Sequence, residues 1–267
     1  VALVRAADEP MRFMVLDADT GSVLLDQSFD AARVTGAVSP DGSKVVLAAR
    51  EIWGSSFVAV DLSDLSMSDP ITVKERVTAI SISPDGSRVV TGHATGDVAL
   101  RNPESFTADV QSPQQLDDSI SAVGFTPDSK AVLAGRQSGV VDVFDATTLE
   151  PRFGPLEGHR RVVTGVAAND RIVVTASADG SVRMWDVASG TALGGPIPTG
   201  GVTGPSIAIR DDGQRALVQS DRGLLELILA EDEWIRLACS ISGRELTEDE
   251  RASHGLAMSA NACGGLG

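Results

Sequence analysis

Three residue types that build hydrolytic centres, His159, Ser177 and Asp179, fall within one stretch, GHRRVVTGVAANDRIVVTASADGSVRMWD, spanning residues 158–186. A serine nucleophile, a histidine base and an orienting aspartate cleave acyl bonds when a fold aligns them. The local context speaks against that use, because no Gly-x-Ser-x-Gly elbow surrounds Ser177 to expose it on a strained turn. Other chemistries fit less well. His93 has no second His or Cys nearby to complete a metal shell, and His254 reads as an ordinary residue at a helix end. The acidic run from Asp17 to Gly21 places its Gly one position early for a calcium loop and lacks the bidentate Glu, so it reads as a turn. No Gly-x-x-x-x-Gly-Lys-[Ser/Thr] loop occurs, and the run from Gly194 to Gly204, broken by Pro196 and Pro198, reads as a connection rather than a phosphate cradle. No metal, cofactor or catalytic set is expected.

The elements that position these residues are short strands. Within the stretch, Arg171 to Ala176 and Ser181 to Trp185 are apolar alternations joined by a Ser-Ala-Asp-Gly turn. Imperfect copies fill the rest of the chain. The Ser-Pro-Asp-Gly turn at 39–42 returns at 83–86, weakens to Thr-Pro-Asp-Ser at 126–129, and persists as Asn169-Asp170 and Asp211-Asp212-Gly213. Pro40, Pro84, Pro127, Asn169 and Asp211 are therefore spaced 44, 43, 42 and 42 residues apart, the period of four-stranded blades. A second marker keeps the same register at the end of each third strand: Leu16-Asp17, Val60-Asp61, Arg101-Asn102, Phe144-Asp145, Trp185-Asp186 and Ile228-Leu229. Counting from both, residues 1–29 give three strands, four complete blades span roughly 30–72, 73–116, 117–157 and 158–200, and three more strands lie between Pro205 and Leu229. These 22 strands fall two short of six blades, so a ring either closes imperfectly or has further blades upstream. The chain begins inside a repeat and with Val1, which points to a fragment of a longer polypeptide or to an alternative start codon.

The Gly158-His159 pair, the Asp179-Gly180 turn and the Trp185-Asp186 ending resemble one blade of the WD40-repeat family, a propeller of four-stranded sheets. The resemblance implies an all-β, WD40-type β-propeller of about six blades over residues 1–230. It also implies that His159, Ser177, Asp179 and Trp185 form a hydrogen-bonded structural tetrad, in which each buried polar group satisfies another. Other repeats lack the full set, with Arg101, Phe144 and Val60 standing where Trp185 does, and are expected to depend more on apolar packing. His93 corresponds in position to Ser177 and is expected to make a polar contact within its blade.

From Glu231 the periodicity becomes helical. Trp234, Leu237, Ala238 and Ile241 share one face, Asp232 caps the start, Gly243 stops the helix, and Thr247 to Glu250 form a capping box for a second one. A helical tail over 231–267, packed on the propeller rim, is expected. Trp234, Ala238, Cys239, Gly243, Arg244, Leu246 and Thr247 are similar to the ending of WD40 domains in bacterial regulators of the STAND class, where a nucleotide-binding switch precedes the propeller. This chain has Cys263-Gly264 in place of that ending's Cys-Pro. An Arg to Lys ratio of 19 to 3 and abundant Ala agree with a GC-rich bacterial genome.

Charge and composition narrow the partners. A net charge of −15 argues against general binding to nucleic acid or anionic membranes. Two cysteines, Cys239 and Cys263, are too few for a disulfide framework and read as free thiols of a reducing cytoplasm. The resemblance places Arg33, Arg50, Trp53, Lys74, Arg76, Arg136, Arg160 and Arg161 on the face that carries inter-blade connections and turns, diluted by Asp30, Glu51, Glu75, Asp117 and Asp118. Trp53 beside Gly54 either serves as a binding anchor or folds onto its own blade. The expectation is a non-catalytic protein-interaction scaffold, or a sensor or autoinhibitory domain, acting on protein partners or on a neighbouring domain of the same polypeptide. The alternative is a lactonase-like propeller hydrolase with a metal at the central channel, which would need inward acids or histidines that the Val-, Thr-, Ala- and Gly-rich strand starts do not supply.

Overall fold

The described turns at 39–44, 83–88 and 126–131 are held by their own side chains. Asp41 accepts bonds from the Ser39 hydroxyl (2.6 Å), the Ser43 hydroxyl (2.8 Å) and the Ser43 N–H (3.0 Å). Those bonds, the one from Ser39 above all, favour the carboxylate and lower its pKa to about 2. Asp85 repeats the arrangement with Ser83 and Ser87. In the weakened copy, Thr126 donates to Asp128 at 2.7 Å, and Ser129 takes the left-handed φ of +58° that Gly42 and Gly86 take elsewhere. A residue with a Cβ gives up roughly 1–2 kcal/mol in that conformation, so the turn's hydrogen bonds are what preserve it.

The strand-end marker has an equally local cause. Asp17, Asp61, Asn102, Asp145 and Asp186 each accept backbone N–H groups two or three residues on, at 2.7–3.1 Å. Asn102 serves as well as Asp because its amide oxygen is also an acceptor.

The structure, a computed structural model, describes residues 2–6, 11–17, 19–112, 116–200, 206–210, 212–220, 223–230, 232–234, 236–237 and 249 (backbone only for 2–6 and 220). By internal contacts the chain divides into two compact units, residues 1–137 with 143–152, and residues 138–142 with 153–267.

The first unit carries β1 (Ala2–Ala6), β2 (Met11–Leu16) and β3 (Val23–Phe29) in one antiparallel sheet. Two four-stranded sheets follow in simple order: β4 (Arg33–Val38), β5 (Lys44–Glu51), β6 (Gly54–Asp61) and β7 (Ile71–Val73), then β8 (Val77–Ile82), β9 (Val89–His93), β10 (Val98–Arg101) and β11 (Ala108–Gln111). β12 (Ile120–Phe125), β13 (Ala131–Arg136) and β14 (Val141–Asp145) form the next, with the division between units falling inside β14. Strand alternation explains the stacking. Val45 and Leu47 of β5 pack with Phe13 and Val15, while Val46 and Ala48 pack the other way, with Val77 and Val89. Val90 then joins Val98, Leu100, Ile120 and Val132 on the next interface. Each central sheet thus buries both faces, which is what a run of short apolar strands requires.

The second unit carries β15 (Val163–Ala168), β16 (Ile172–Ser177), β17 (Ser181–Asp186) and β18 (Ile197–Pro198), and beside them β19 (Ser206–Ile209), β20 (Arg215–Ser220) and β21 (Gly223–Ile228). Ile172, Val174 and Val182 meet Ala216, Val218 and Leu227 between the two sheets. Residues 232–234 and 236–237 are helical, and Trp234 is tied down by its indole N–H to the Ile228 carbonyl at 2.7 Å.

The described residues hold 21 strands in six sheets, one strand fewer than the repeats predict. The difference lies at 150–157. Pro151 and Pro155 offer no N–H, so the expected fourth strand is reduced to single bridges, Phe144 to Pro151 and Val141 to Leu156. Ala238, Cys239, Ile241, Gly243, Arg244, Leu246, Thr247, Glu250, His254 and Cys263 lie outside the described residues, as do Asp211 and 201–204 of the glycine-rich run.

Candidate functional site

The polar centre of the sheet β15–β18 is a directed relay. The Trp185 indole can only donate, and does so to Thr175 Oγ1 at 2.9 Å. The Thr175 hydroxyl in turn donates to His159 Nε2 at 2.9 Å, which leaves the proton on Nδ1, 3.1 Å from Asp179 Oδ2. Asp179 is held by the Arg160 N–H (2.9 Å) and by the hydroxyl (2.6 Å) and N–H (2.9 Å) of Ser181. Burial lowers the His159 pKa, with the Asp179 bond opposing it, so the imidazole is neutral near pH 7.

The hydroxyl between His159 and Trp185 is therefore that of Thr175, and Ser177 is not part of the relay. Ser177 is fully buried, donates to the Arg161 carbonyl at 2.9 Å and accepts the Asp179 N–H at 3.1 Å. A hydrolytic use of His159, Ser177 and Asp179 fails on this geometry, since neither buried hydroxyl can reach a substrate.

A second relay occupies β8–β11, a blade expected from the sequence to depend more on apolar packing, with a polar contact at His93. Arg101 Nε donates to Thr91 Oγ1 at 3.0 Å, and Thr91 lies 3.0 Å from His93 Nε2. Arg101 also donates to the Phe106 carbonyl (2.9 Å), lies over the Phe57 ring (5.4 Å to its centroid) and stands 3.7 Å from Glu75. Phe57 and Phe106 stack at 4.9 Å. Arg101 and His93 are each 1% exposed. His93 Nδ1 has no hydrogen-bond partner among the described residues, and burial together with the Arg101 charge lowers the His93 pKa to about 4. Thr91, Glu75 and Thr175 are the participants the sequence reading misses. The available signal is register, because Thr91 precedes His93 by two positions as Thr175 precedes Ser177.

The candidate binding residues fall in both units. In the first, β5 and β6 join through a two-residue turn whose tip, Ile52 and Trp53, is 79% and 90% exposed. Trp53 does not fold onto its blade. A Cβ at Gly54, where φ is +144°, would stand 2.2 Å from the Val73 carbonyl, so the hairpin is pinned against β7 by a close approach that only glycine permits. Arg33 pairs with Arg50 across the β4–β5 ladder. Lys74 and Arg76 are exposed, and Arg50 and Arg136 are half-buried. In the second unit Arg160 and Arg161 are exposed, with Arg161 Nη1 donating to the Ala178 carbonyl at 3.3 Å. Among the described residues, no three His, Cys, Asp or Glu side chains are placed to share a metal, and no helix is long and apolar enough to cross a membrane.

Sequential antiparallel sheets with Asp-bearing turns, one of them centred on a Trp–Thr–His–Asp relay, are the features of a WD40-type, β-propeller-like repeat domain. Comparison with known proteins agrees. Residues 152–186 match the family described as "WD domain, G-beta repeat". Among solved structures, the computationally designed Ika8 protein is similar at a TM-score of 0.63 and 20% identity, over 85% of this chain and 68% of that one. The computationally designed Ika4 protein is similar at 0.51 and 21% identity, over 59% and 94% respectively. At these identities the likeness speaks for the fold alone. No curated protein matches the chain.

Proposed function

We propose that this chain is a non-enzymatic interaction domain that displays rigid loops to protein partners, or to a neighbouring domain of its own polypeptide. WD40 repeats generally mediate protein–protein contacts, which supports the coarse reading. The observation that carries it is Trp53, an aromatic side chain 90% exposed at the tip of a pinned hairpin. Aromatic side chains on rigid supports make efficient anchors, because little conformational entropy is lost on docking.

In the finer reading, the domain belongs to a cytoplasmic bacterial regulator of the STAND class and restrains a nucleotide-binding switch. The tail motif from Trp234 to Thr247 and the arginine-rich composition support it. Quantitative capture from cells of the source bacterium, comparing the chain with Trp53→Ala, tests the interaction face. The expected result is a roughly tenfold or greater loss of specific partners, as for an anchor of ~2 kcal/mol, with an unshifted melting temperature. Equal capture by both proteins would remove the hairpin from the interaction surface.

A further inference from the structure

A cavity of about 330 Å³ lies in the first unit between the outermost strand of one sheet and the next sheet. Its walls are two continuous backbone runs, 71–74 and 105–108, with Glu75 and Arg101 between them. Arg101 has five N–H donors, of which its short bonds to Thr91 and Phe106 use two. Its remaining amino nitrogen reaches His93 only at 3.5 Å and the Glu75 carboxylate only at 3.7 Å, outside hydrogen-bond range for the ion pair. Glu75, the one carboxylate in the wall, is itself a third exposed. Lys74 is exposed and forms no ion pair among the described residues, and Thr72, Ser105 and Thr107 add hydroxyls. The slot therefore holds two cations against one loosely held anion. It shares Ile71 and Phe106 with a larger cavity of about 700 Å³, where Val46, Ala59 and Ile82 supply apolar surface and Lys44 stands among Asp41, Asp85 and Glu104.

We propose that this slot takes an extended acidic segment of a protein partner: one carboxylate replaces that of Glu75 on Arg101, Lys74 pairs with a second acid, and an intervening apolar side chain lies over Ile71 and Phe106. Glu75 is then an internal placeholder that neutralises Arg101 until the partner arrives. The exchange swaps one carboxylate for another, so the buried guanidinium is never left without a counter-charge. The apolar surface of Ile71, Val46, Ala59 and Ile82 beside the two cations fits a peptide rather than a small inorganic anion. The proposal rests on the reading of the chain as a protein-binding domain and names the chemistry of the bound segment.

The test is fluorescence anisotropy with the full chain and a labelled, end-blocked six-residue peptide alternating glutamate and leucine, with a glutamine–leucine peptide as control. The glutamate peptide is expected to bind at least tenfold tighter than the control. Glu75→Gln should tighten it several-fold by removing the competitor, and Lys74→Glu should weaken it several-fold. Arg101→Trp, which copies the indole bond of the other relay, should abolish the preference for glutamate. If that variant does not fold, the two surface variants decide the matter. Equal affinity for both peptides, or weaker binding by Glu75→Gln, overturns the proposal. Displacement of the peptide by millimolar inorganic phosphate as effectively from Glu75→Gln as from the unaltered chain, with no preference between peptides, would make the slot a small-anion site and equally overturn it. Loss of partner capture by Trp53→Ala together with a slot that prefers neither peptide would sink this inference and spare the broader one.

Discussion

The sheets β8–β11 and β15–β18 solve one problem with different residues. In both, a threonine hydroxyl on the second strand accepts a nitrogen donor ten positions later, Arg101 Nε at 3.0 Å or Trp185 Nε1 at 2.9 Å, and faces a histidine Nε2. The histidines come from different places. His159 precedes its threonine by sixteen positions, whereas His93 lies two positions after its own on the same strand. The ends differ too. Asp179 closes the relay on His159 Nδ1, while His93 Nδ1 has no hydrogen-bond partner among the described residues and the buried charge of Arg101 leans on Glu75 and Phe57. The blade needs a donor, a hydroxyl and an imidazole in line, and the identity of the donor is negotiable. An arginine donor brings with it a buried charge that its surroundings must answer.

The largest test of that difference removes the donor. Arg101→Ala takes the guanidinium donor from the Thr91 hydroxyl and the Phe106 carbonyl, leaving Thr91 only its contact with His93, and opens a void beside Phe57, so a loss of about 3–5 kcal/mol is expected. Arg101→Trp should cost less than half of this, because an indole N–H can reach Thr91 as Trp185 reaches Thr175 and the partly exposed Glu75 can return to water. Urea unfolding followed by circular dichroism measures both. Equal losses would break the comparison, since Arg and Trp would then not be interchangeable donors.

Acid should separate the two histidines. Burial lowers both pKa values, but Arg101 adds to the shift at His93 while Asp179 opposes it at His159. Because the His93 value falls from 6.5 to about 4, the unfolded chain binds that proton first as pH drops. Stability from this group is complete above about pH 6.5 and declines between about 6.5 and 4, by about 3 kcal/mol at one pKa unit per 1.4 kcal/mol. The Asp41 turn works in the same direction at lower pH, its contribution falling between about 4 and 2. Proton NMR of the imidazoles checks the order: His93 is expected to protonate last, and its titration near pH 6.5 would mean that Arg101 does not face it.

Much of this arrangement is readable from sequence where its cause is local. Pro, Asp and Gly close their turns through bonds to neighbouring residues, so the 42–44-residue period and most of the strands can be placed without tertiary information. The relay is different. Thr175 and Ser177 sit two positions apart on one strand and so project from the same face, and spacing alone cannot say which reaches His159. Arg101 reads as a surface residue by type. Its burial is decided by Phe57, from the preceding sheet, and by Phe106 and Glu75, none of which is marked by any motif. Pro151 and Pro155, by contrast, carry a readable signal against the fourth strand that the repeat period overrides.

The threonines offer a sharper probe than either histidine. Thr175→Val keeps the shape of the side chain but strands the Trp185 N–H and the His159 Nε2, and Thr91→Val strands Arg101 Nε in the same way. Each is expected to cost about 2 kcal/mol, the range for leaving buried polar groups unpaired, with the Thr91 variant the worse because its orphan is charged. Chemical unfolding at pH 7.5, where both histidines are neutral, makes the comparison clean. A Thr91 variant as stable as the unaltered chain would mean that the second relay contributes nothing.

The smallest effect belongs to Ser177. Its hydroxyl bridges the Arg161 carbonyl and the Asp179 N–H, and its loss leaves the Asp179 carboxylate still held by Ser181, Arg160 and His159. Ser177→Ala should therefore cost only about 1 kcal/mol, the net worth of an ordinary neutral hydrogen bond. Measured beside Thr175→Val, it asks which of two hydroxyls on one face is the hub. A ratio near two or above assigns the hub to Thr175, because only that hydroxyl links a donor that cannot accept to an imidazole that must. Losses of equal size would return Ser177 to the position that the repeat pattern suggests, and the parallel with Thr91 in β8–β11 would then be an accident of register.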